Sequence, residues 1–208
     1  WGEVKIINNT RDFDNTNFGQ SVAIDNDTIV VGAPKNRSFL QPLPRIGMAH
    51  VFERNAGGSD NWGIVTNLVG SQSLNAEFGN SVSIDKDQIV VGEWLNDVGA
   101  NNNQGSAYIF ERNNGGIENW GITATVIDSN GSAGDEFGIS VAISRNHVAV
   151  GSHRKDISSP FNVKNSKANL AGASQGAAFV LRANPFAPTA ANVSVGGRVM
   201  SSSGNRGE

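Results

Sequence analysis

The 208-residue chain has 17% charged residues and a formal net charge of −3, so no basic surface exists to neutralise phosphates, which excludes nucleic acid and anionic membrane as partners. It contains no cysteine, which excludes a disulfide framework and thiolate zinc sites, and no apolar run long enough for a helix to cross a bilayer. Its 25 glycines and short apolar clusters, placed at strand rather than helical spacing, predict an all-β fold of short strands and tight turns.

Taken in chain order, the predicted strands fall into a repeat of four per period, lettered A to D. The chain begins on a D strand over residues 1–8, Trp1-Gly2-Glu3-Val4-Lys5-Ile6-Ile7. A first full period spans 9–69: strand A follows Phe18-Gly19 through Ser21-Val22-Ala23-Ile24, strand B is Ile29-Val30-Val31-Gly32, and strand C is Gly47-Met48-Ala49-His50-Val51-Phe52. Glu53-Arg54-Asn55, a Gly57-Gly58 turn and Trp62-Gly63-Ile64 then lead into strand D. The second period, 70–127, repeats the pattern at Phe78-Gly79, Ile89-Val90-Val91-Gly92, Gly105-Ser106-Ala107-Tyr108-Ile109-Phe110 and Trp120-Gly121-Ile122. The third, 128–184, has Phe137-Gly138, Val148-Ala149-Val150-Gly151 and Gly176-Ala177-Ala178-Phe179-Val180-Leu181, with no evident D strand. Residues 185–192, with Pro185 and Pro188, read as a stiff linker, and Val193–Val199 as the first strand of a truncated domain over 193–208.

Strand A alternates Val and Ile with Ser and Ala, and strand B is apolar almost throughout, so each sheet has two faces to cover. A lone four-stranded sheet would leave one of them wet; stacking the sheets as blades around an axis covers both.

Phe18-Gly19 followed by Val31-Gly32-Ala33-Pro34, recurring in phase with the Gly-x-Ala-aromatic strand, resembles the FG-GAP repeat of integrin α-subunit propellers and their bacterial relatives over residues 1 to about 184. The Ala-Pro pair survives only in the first copy; the second has Glu93-Trp94 and the third Ser152-His153. The tail is similar to the opening of carboxypeptidase-regulatory-like β-sandwich domains. The resemblance implies a partial, open β-propeller arc of about three four-stranded antiparallel blades on a secreted or surface-displayed bacterial protein. Its work would be non-catalytic binding of an extracellular protein or glycan, with calcium as the candidate cofactor and further blades and domains of the same polypeptide as partners. A propeller enzyme of glycosidase or lyase type, with its active site in other blades, and a structural spacer are the alternatives. Because a ring takes about four to eight blades, the arc is expected to leave apolar faces at its ends and to associate or fold poorly by itself. Trp1, with no methionine ahead of it, reads as the start of a fragment.

Antiparallel blades put the A-B and C-D turns on one face of the ring and the B-C and D-A loops on the other. The C-D turns are nearly identical in the first two periods, as a structural turn requires, whereas the B-C loops (33–46, 93–104 and 152–175) differ in length and chemistry, as a ligand-presenting face does. The ligand-binding candidates are therefore Arg37 and Phe39 in the first loop, Glu93, Trp94 and Asp97 in the second, and His153 and Arg154 in the third, where Lys155, Asp156 and Phe161 also lie. Trp94 stands out because it does not recur in phase. It either stacks on a sugar or anchors a protein, or it covers the blade edge.

The A-B turns Asp25-Asn26-Asp27, Asp85-Lys86-Asp87 and Ser144-Arg145-Asn146 are too short for an integrin-type calcium loop and read as hairpin turns. The D-A loop from Asp128 to Glu136 is richer in oxygen, which makes Asp128, Asn130 and Asp135 the metal candidates. Catalysis finds little support. Gly172-Ala173-Ser174-Gln175-Gly176 matches a nucleophile elbow but leads into a strand rather than a helix, and no nucleophile–base set recurs at a defined spacing. His50 and His147 occupy strand slots of the repeat.

Overall fold

The computed structural model describes residues 2, 5–8, 15–36, 45–117, 119–156, 174–182 and 191–195, the last stretch by its backbone alone. Among them every regular element is a strand. β1 (Ser21–Asp25), β2 (Thr28–Ala33), β3 (Met48–Glu53) and β4 (Gly63–Leu68) form the first blade in that order. The second is built from β5 (Ser81–Asp85), β6 (Gln88–Glu93), β7 (Ser106–Arg112) and β8 (Trp120–Asp128), and the third from β9 (Phe137–Ser144), β10 (His147–Ser152) and β11 (Ala177–Arg182). The chain is thus an open arc of three antiparallel blades.

Local sequence explains the repetition. Each A strand meets its B strand through two turn residues, and the first of these, Asn26, Lys86 or Arg145, is left-handed (φ 49°, 54° and 55°), the geometry that matches strand twist across a tight hairpin. Register is the same in all three blades: Ser21 faces Gly32, Ser81 faces Gly92 and Ser140 faces Gly151. The C-D pairing slips at the same place in the first two blades, between Val51 and Phe52 and between Ile109 and Phe110.

The chain ends fit the predicted pattern less closely. Of the D strand expected over residues 1–8, residues 5–8 form no strand, because an extended segment needs a neighbour to bond and none of the described strands pairs with it. β12 (Ala191–Val195) starts two residues before the expected tail strand and runs parallel to β8, from Ala191 beside Ala124 to Val195 beside Asp128, along the outer edge of the second blade.

The core lies between blades rather than within them. One cluster joins Val30, Ala49 and Val51 of the first blade to Phe78, Val82, Ile84, Ile89, Val91, Tyr108 and Phe110 of the second. Another joins Val90, Ala107 and Val126 of the second to Phe137, Val148, Val150 and Phe179 of the third. Position in the arc decides burial: Val82 and Ile84 are 9% and 8% exposed, while Val22 and Ile24, in the same register on the first blade, are 60% and 61% exposed because no described blade packs on that side of them. Covering such a side chain is worth about 1.5–3 kcal/mol.

The glycines of the repeat make these seams possible. A Cβ on Gly32 would overlap the Gly79 carbonyl oxygen, and one on Gly92 the Gly138 carbonyl oxygen, so backbone meets backbone across each seam. The Ser21 hydroxyl donates to Gly79 O and the Ser81 hydroxyl to Gly138 O, both at 2.8 Å. At the turn end, Asp25 Oδ2 accepts the Lys86 amide at 2.6 Å, and Asp85 accepts the Arg145 amide in the same manner. The carboxylates of these hairpin turns are therefore seam ties. Arg112 adds a further link, stacking over Trp120 at 4.6 Å, pairing with Glu53 of the first blade and donating to Thr28 Oγ1 at 2.9 Å.

Candidate functional site

Among the described residues, the second B-C loop and the D-A loops on either side of it interlock. The second B-C loop sits between two D-A loops: Leu95 N donates to Ala76 O at 3.2 Å on one side, and on the other Gly134 N donates to Asn102 O at 2.9 Å and Phe137 N to Gln104 O at 2.8 Å. Asn101 Nδ2 donates to Gly131 O at 3.1 Å and Gln104 Nε2 to Asp128 O at 2.7 Å.

Glu93 is not a surface ligand. It ends β6 with its side chain turned inward and fully buried, in the slot held by Ala33 and Ser152. Its carboxylate accepts from Tyr108 OH at 2.8 Å, Ser71 Oγ at 3.0 Å and Ser106 Oγ at 3.3 Å, with no cation among these partners. Burial pushes its pKa above the ordinary glutamate value, and the hydrogen bonds from Tyr108, Ser71 and Ser106 counter this only in part. The same burial, with the Glu93 charge, pushes the Tyr108 phenol up.

Trp94 is half-buried and its indole N–H donates to Glu77 Oε2 at 3.0 Å. The corresponding residue of the third blade, His153, sits 3.1 Å from Glu136 Oε2, and Arg154 pairs with Glu136 Oε1 at 2.7 Å. Glu77 and Glu136 both precede Phe-Gly in left-handed backbone (φ 56° each), as does Asn17 (φ 55°). Trp94 and His153 thus fill one recurrent slot, pinning the residue ahead of Phe-Gly. The acids at 77 and 136 were the sequence signal for it.

Asp97 is exposed, and its Oδ1 accepts the Asn103 amide at 2.8 Å, which holds the 97–103 loop in shape. With Leu95 and Asn103 it lines an open cleft whose other wall is Ser73, Leu74 and Asn75. Leu74 is 66% exposed there. Asn75 and Asn103 are left-handed (φ 57° and 53°), a conformation asparagine tolerates better than most residues. Arg37 and Phe39 lie outside the described residues.

The metal candidates converge, but on a lysine. Lys155 Nζ lies 2.8 Å from Asp128 Oδ2 and 2.8 Å from Asp135 Oδ2, and donates to the Asn130 carbonyl oxygen at 2.6 Å. Both carboxylates are 3% exposed, and each also accepts a backbone amide, Asp128 from Asn130 at 2.9 Å and Asp135 from Ser132 at 2.7 Å. Asn130 contributes its main chain, not its side chain. Burial lowers the Lys155 pKa, but hydrogen bonding and attraction to Asp128 and Asp135 outweigh it and hold the group above the ordinary lysine value. The ammonium donates to the Asn130 carbonyl and to Asp135, and pairs with Asp128 by charge. A calcium ion added here would face that charge across the same oxygens, so the set does not fit calcium. Among the described residues no cluster of three or more His, Cys, Asp or Glu side chains is placed to hold a metal.

Lys155 also has a place in the repeat. Its amide bonds to Ser152 O and its carbonyl accepts from Gly176, as Asn36 does with Ala33 and Gly47, and Asn96 with Glu93 and Gly105. Asn36, Asn96 and Lys155 are 1%, 7% and 9% exposed, so the position is buried in every blade and the third places a charge there.

No curated protein matches the chain. The family model described as FG-GAP repeat matches residues 2–52, 69–110 and 120–181. Its Phe-Gly pairs and strand-ending glycines are the residues found at the seams between blades, and the chain belongs to the FG-GAP repeat family.

Proposed function

We propose that the chain is a non-catalytic recognition module that presents its B-C and D-A face to an extracellular protein or glycan. The observation that carries this reading is the cleft of the second blade, where exposed Leu74 and half-buried Leu95 lie beside the Asp97 carboxylate. An apolar floor with a few oriented polar groups is what small recognition sites use. The opposite face repeats one turn instead: Arg54 pairs with Asp27 at 3.2 Å and Arg112 with Asp87 at 2.9 Å. The surface location on a bacterial cell rests on the resemblance to bacterial FG-GAP proteins.

Immobilised chain is screened on a glycan array and a panel of extracellular-matrix proteins. Leu74→Glu and Asp97→Lys are expected to abolish any hit, while Ile117→Glu, at a 93% exposed position in the opposite face's C-D turn, leaves it intact. Equal loss from all three variants, or no hit in either screen, would refute the reading and favour a spacer.

A further inference from the structure

Among the described residues, the carboxamides of Asn75 and Asn103, the Ser73 hydroxyl and Oδ2 of Asp97 make no hydrogen bond within the chain, and all four residues line the cleft shared with Leu74 and Leu95. Asp97 carries the only charge of the six. Three of the free groups therefore both donate and accept, and the fourth only accepts.

The backbone beneath them is fixed. Asn75 N donates to Arg45 O at 2.7 Å, Leu95 N to Ala76 O at 3.2 Å, Asn103 N to Asp97 Oδ1 at 2.8 Å, and Glu136 N to Asn103 O at 3.1 Å. Ser73 N donates to Ser71 Oγ at 3.1 Å, and that hydroxyl donates in turn to the buried Glu93 carboxylate at 3.0 Å. Groups mounted on such a frame lose little freedom when a ligand arrives.

Their chemistry narrows the ligand. A peptide adding by its main chain needs a row of free backbone groups, and the amides of Asn75, Leu95 and Asn103 are already bonded. A phosphate or carboxylate would meet the Asp97 charge with no cation among the lining residues. A guanidinium or ammonium would find one carboxylate, already accepting the Asn103 amide, and no second acid. Hydroxyls fit best, because each donates and accepts as the carboxamides and Ser73 do, and one can donate to Asp97 without bringing a charge. A sugar ring carries several hydroxyls around its edge and a face of C–H groups that packs on apolar carbon, which Leu74, 66% exposed, offers. Trp94 is not that platform, since its indole N–H is held by Glu77.

We infer, on the basis of the recognition role proposed above, that the cleft is a subsite for one neutral hexose or N-acetylhexosamine unit of a glycan, packed on Leu74 and Leu95 with its ring hydroxyls on Asp97, Asn75 and Asn103.

Saturation-transfer difference NMR of the 208-residue chain tests this with the methyl glycosides of glucose, galactose, mannose and N-acetylglucosamine, and with methyl glucuronide as the charged comparison. Transfer to the ring C–H protons of at least one neutral glycoside is expected, with the glucuronide bound more weakly because Asp97 repels its carboxylate. Asn75→Gly and Asn103→Gly suit the left-handed backbone at both positions (φ 57° and 53°) and remove only the carboxamide. Each should keep the parent's circular dichroism while weakening the best glycoside about two- to tenfold, the effect of losing one or two hydrogen bonds. Binding undiminished in both variants, a glucuronide bound as well as the neutral sugars, or no transfer to any glycoside would overturn the assignment. In the last case, a matrix protein whose binding Leu74→Glu abolishes would keep the recognition role and give the cleft to a polypeptide, whereas no binding in any screen would remove both.

Discussion

Replacing Lys155 by methionine tests how the D-A loop is held. Methionine keeps most of the stem's packing and removes only the ammonium, so the change isolates the charge. Asp128 and Asp135, each 3% exposed, are then left with two carboxylates and no cation between them. Breaking a buried ion pair from one side costs about 3–5 kcal/mol, because the remaining charge stays desolvated. For a chain of this size each kcal/mol moves the melting temperature by about 2–4 °C, so a fall of roughly 6–20 °C is expected at neutral pH. The pH dependence carries a sign. The folded-state pKa of Lys155 is raised, so its contribution is fully present below the ordinary lysine value and is lost only as the pH rises through the raised one. The gap between parent and variant should therefore hold from neutral pH into the alkaline range and narrow only as the pH rises through the raised Lys155 value. The double variant Asp135→Asn/Lys155→Met should recover more than half of the loss, because one of the two orphaned charges has gone. Thermal melts followed by circular dichroism decide it: a drop below about 2 °C for Lys155→Met, or a double variant no better than the single one, would refute the argument.

Glu93→Gln should raise the melting temperature at neutral pH, because the folded state holds the Glu93 pKa above its unfolded value and so disfavours the ionised form. That advantage should shrink as the pH falls through the raised pKa towards the ordinary glutamate value; an advantage independent of pH would contradict the assignment. Gly92→Ala should cost about 1–3 kcal/mol, since the new methyl overlaps the Gly138 carbonyl and pushes the third blade away. Hydrogen exchange should then quicken in β9 while β1 and β2 stay protected, and uniform or absent change would count against a local seam defect.

The blades were legible because their signals are local and repeated: Phe-Gly, the Val-Val-Gly run and the two-residue turns recur at a spacing that strand geometry converts into register. The site was harder to read. Glu93 looked like a loop carboxylate because it replaces Ala33, and sequence does not reveal that Tyr108 and Ser106 of β7 and Ser71 of the preceding loop gather around it. Trp94 looked unique because its slot recurs as histidine rather than as tryptophan, with the common partner being an acid before Phe-Gly. The oxygens of Asp128 and Asp135 were read as facing a metal, and Lys155 was grouped with exposed loop cations, although it lies in phase with buried Asn36 and Asn96. Composition reveals that charges are present, but only the chain path shows which of them meet.

The ties that the A strands and their turns make between neighbouring blades join residues separated by 57–61 positions, from Ser81 with Gly138 to Asp25 with Lys86, so each spans about one repeat. A blade emerging from the ribosome accordingly finds its partner already made, and can fold onto the preceding one without waiting for distant chain. The same arithmetic governs evolution: duplicating or deleting one sixty-residue unit in the gene leaves every remaining tie with an equivalent mate, so blade number can change without a new interface having to arise.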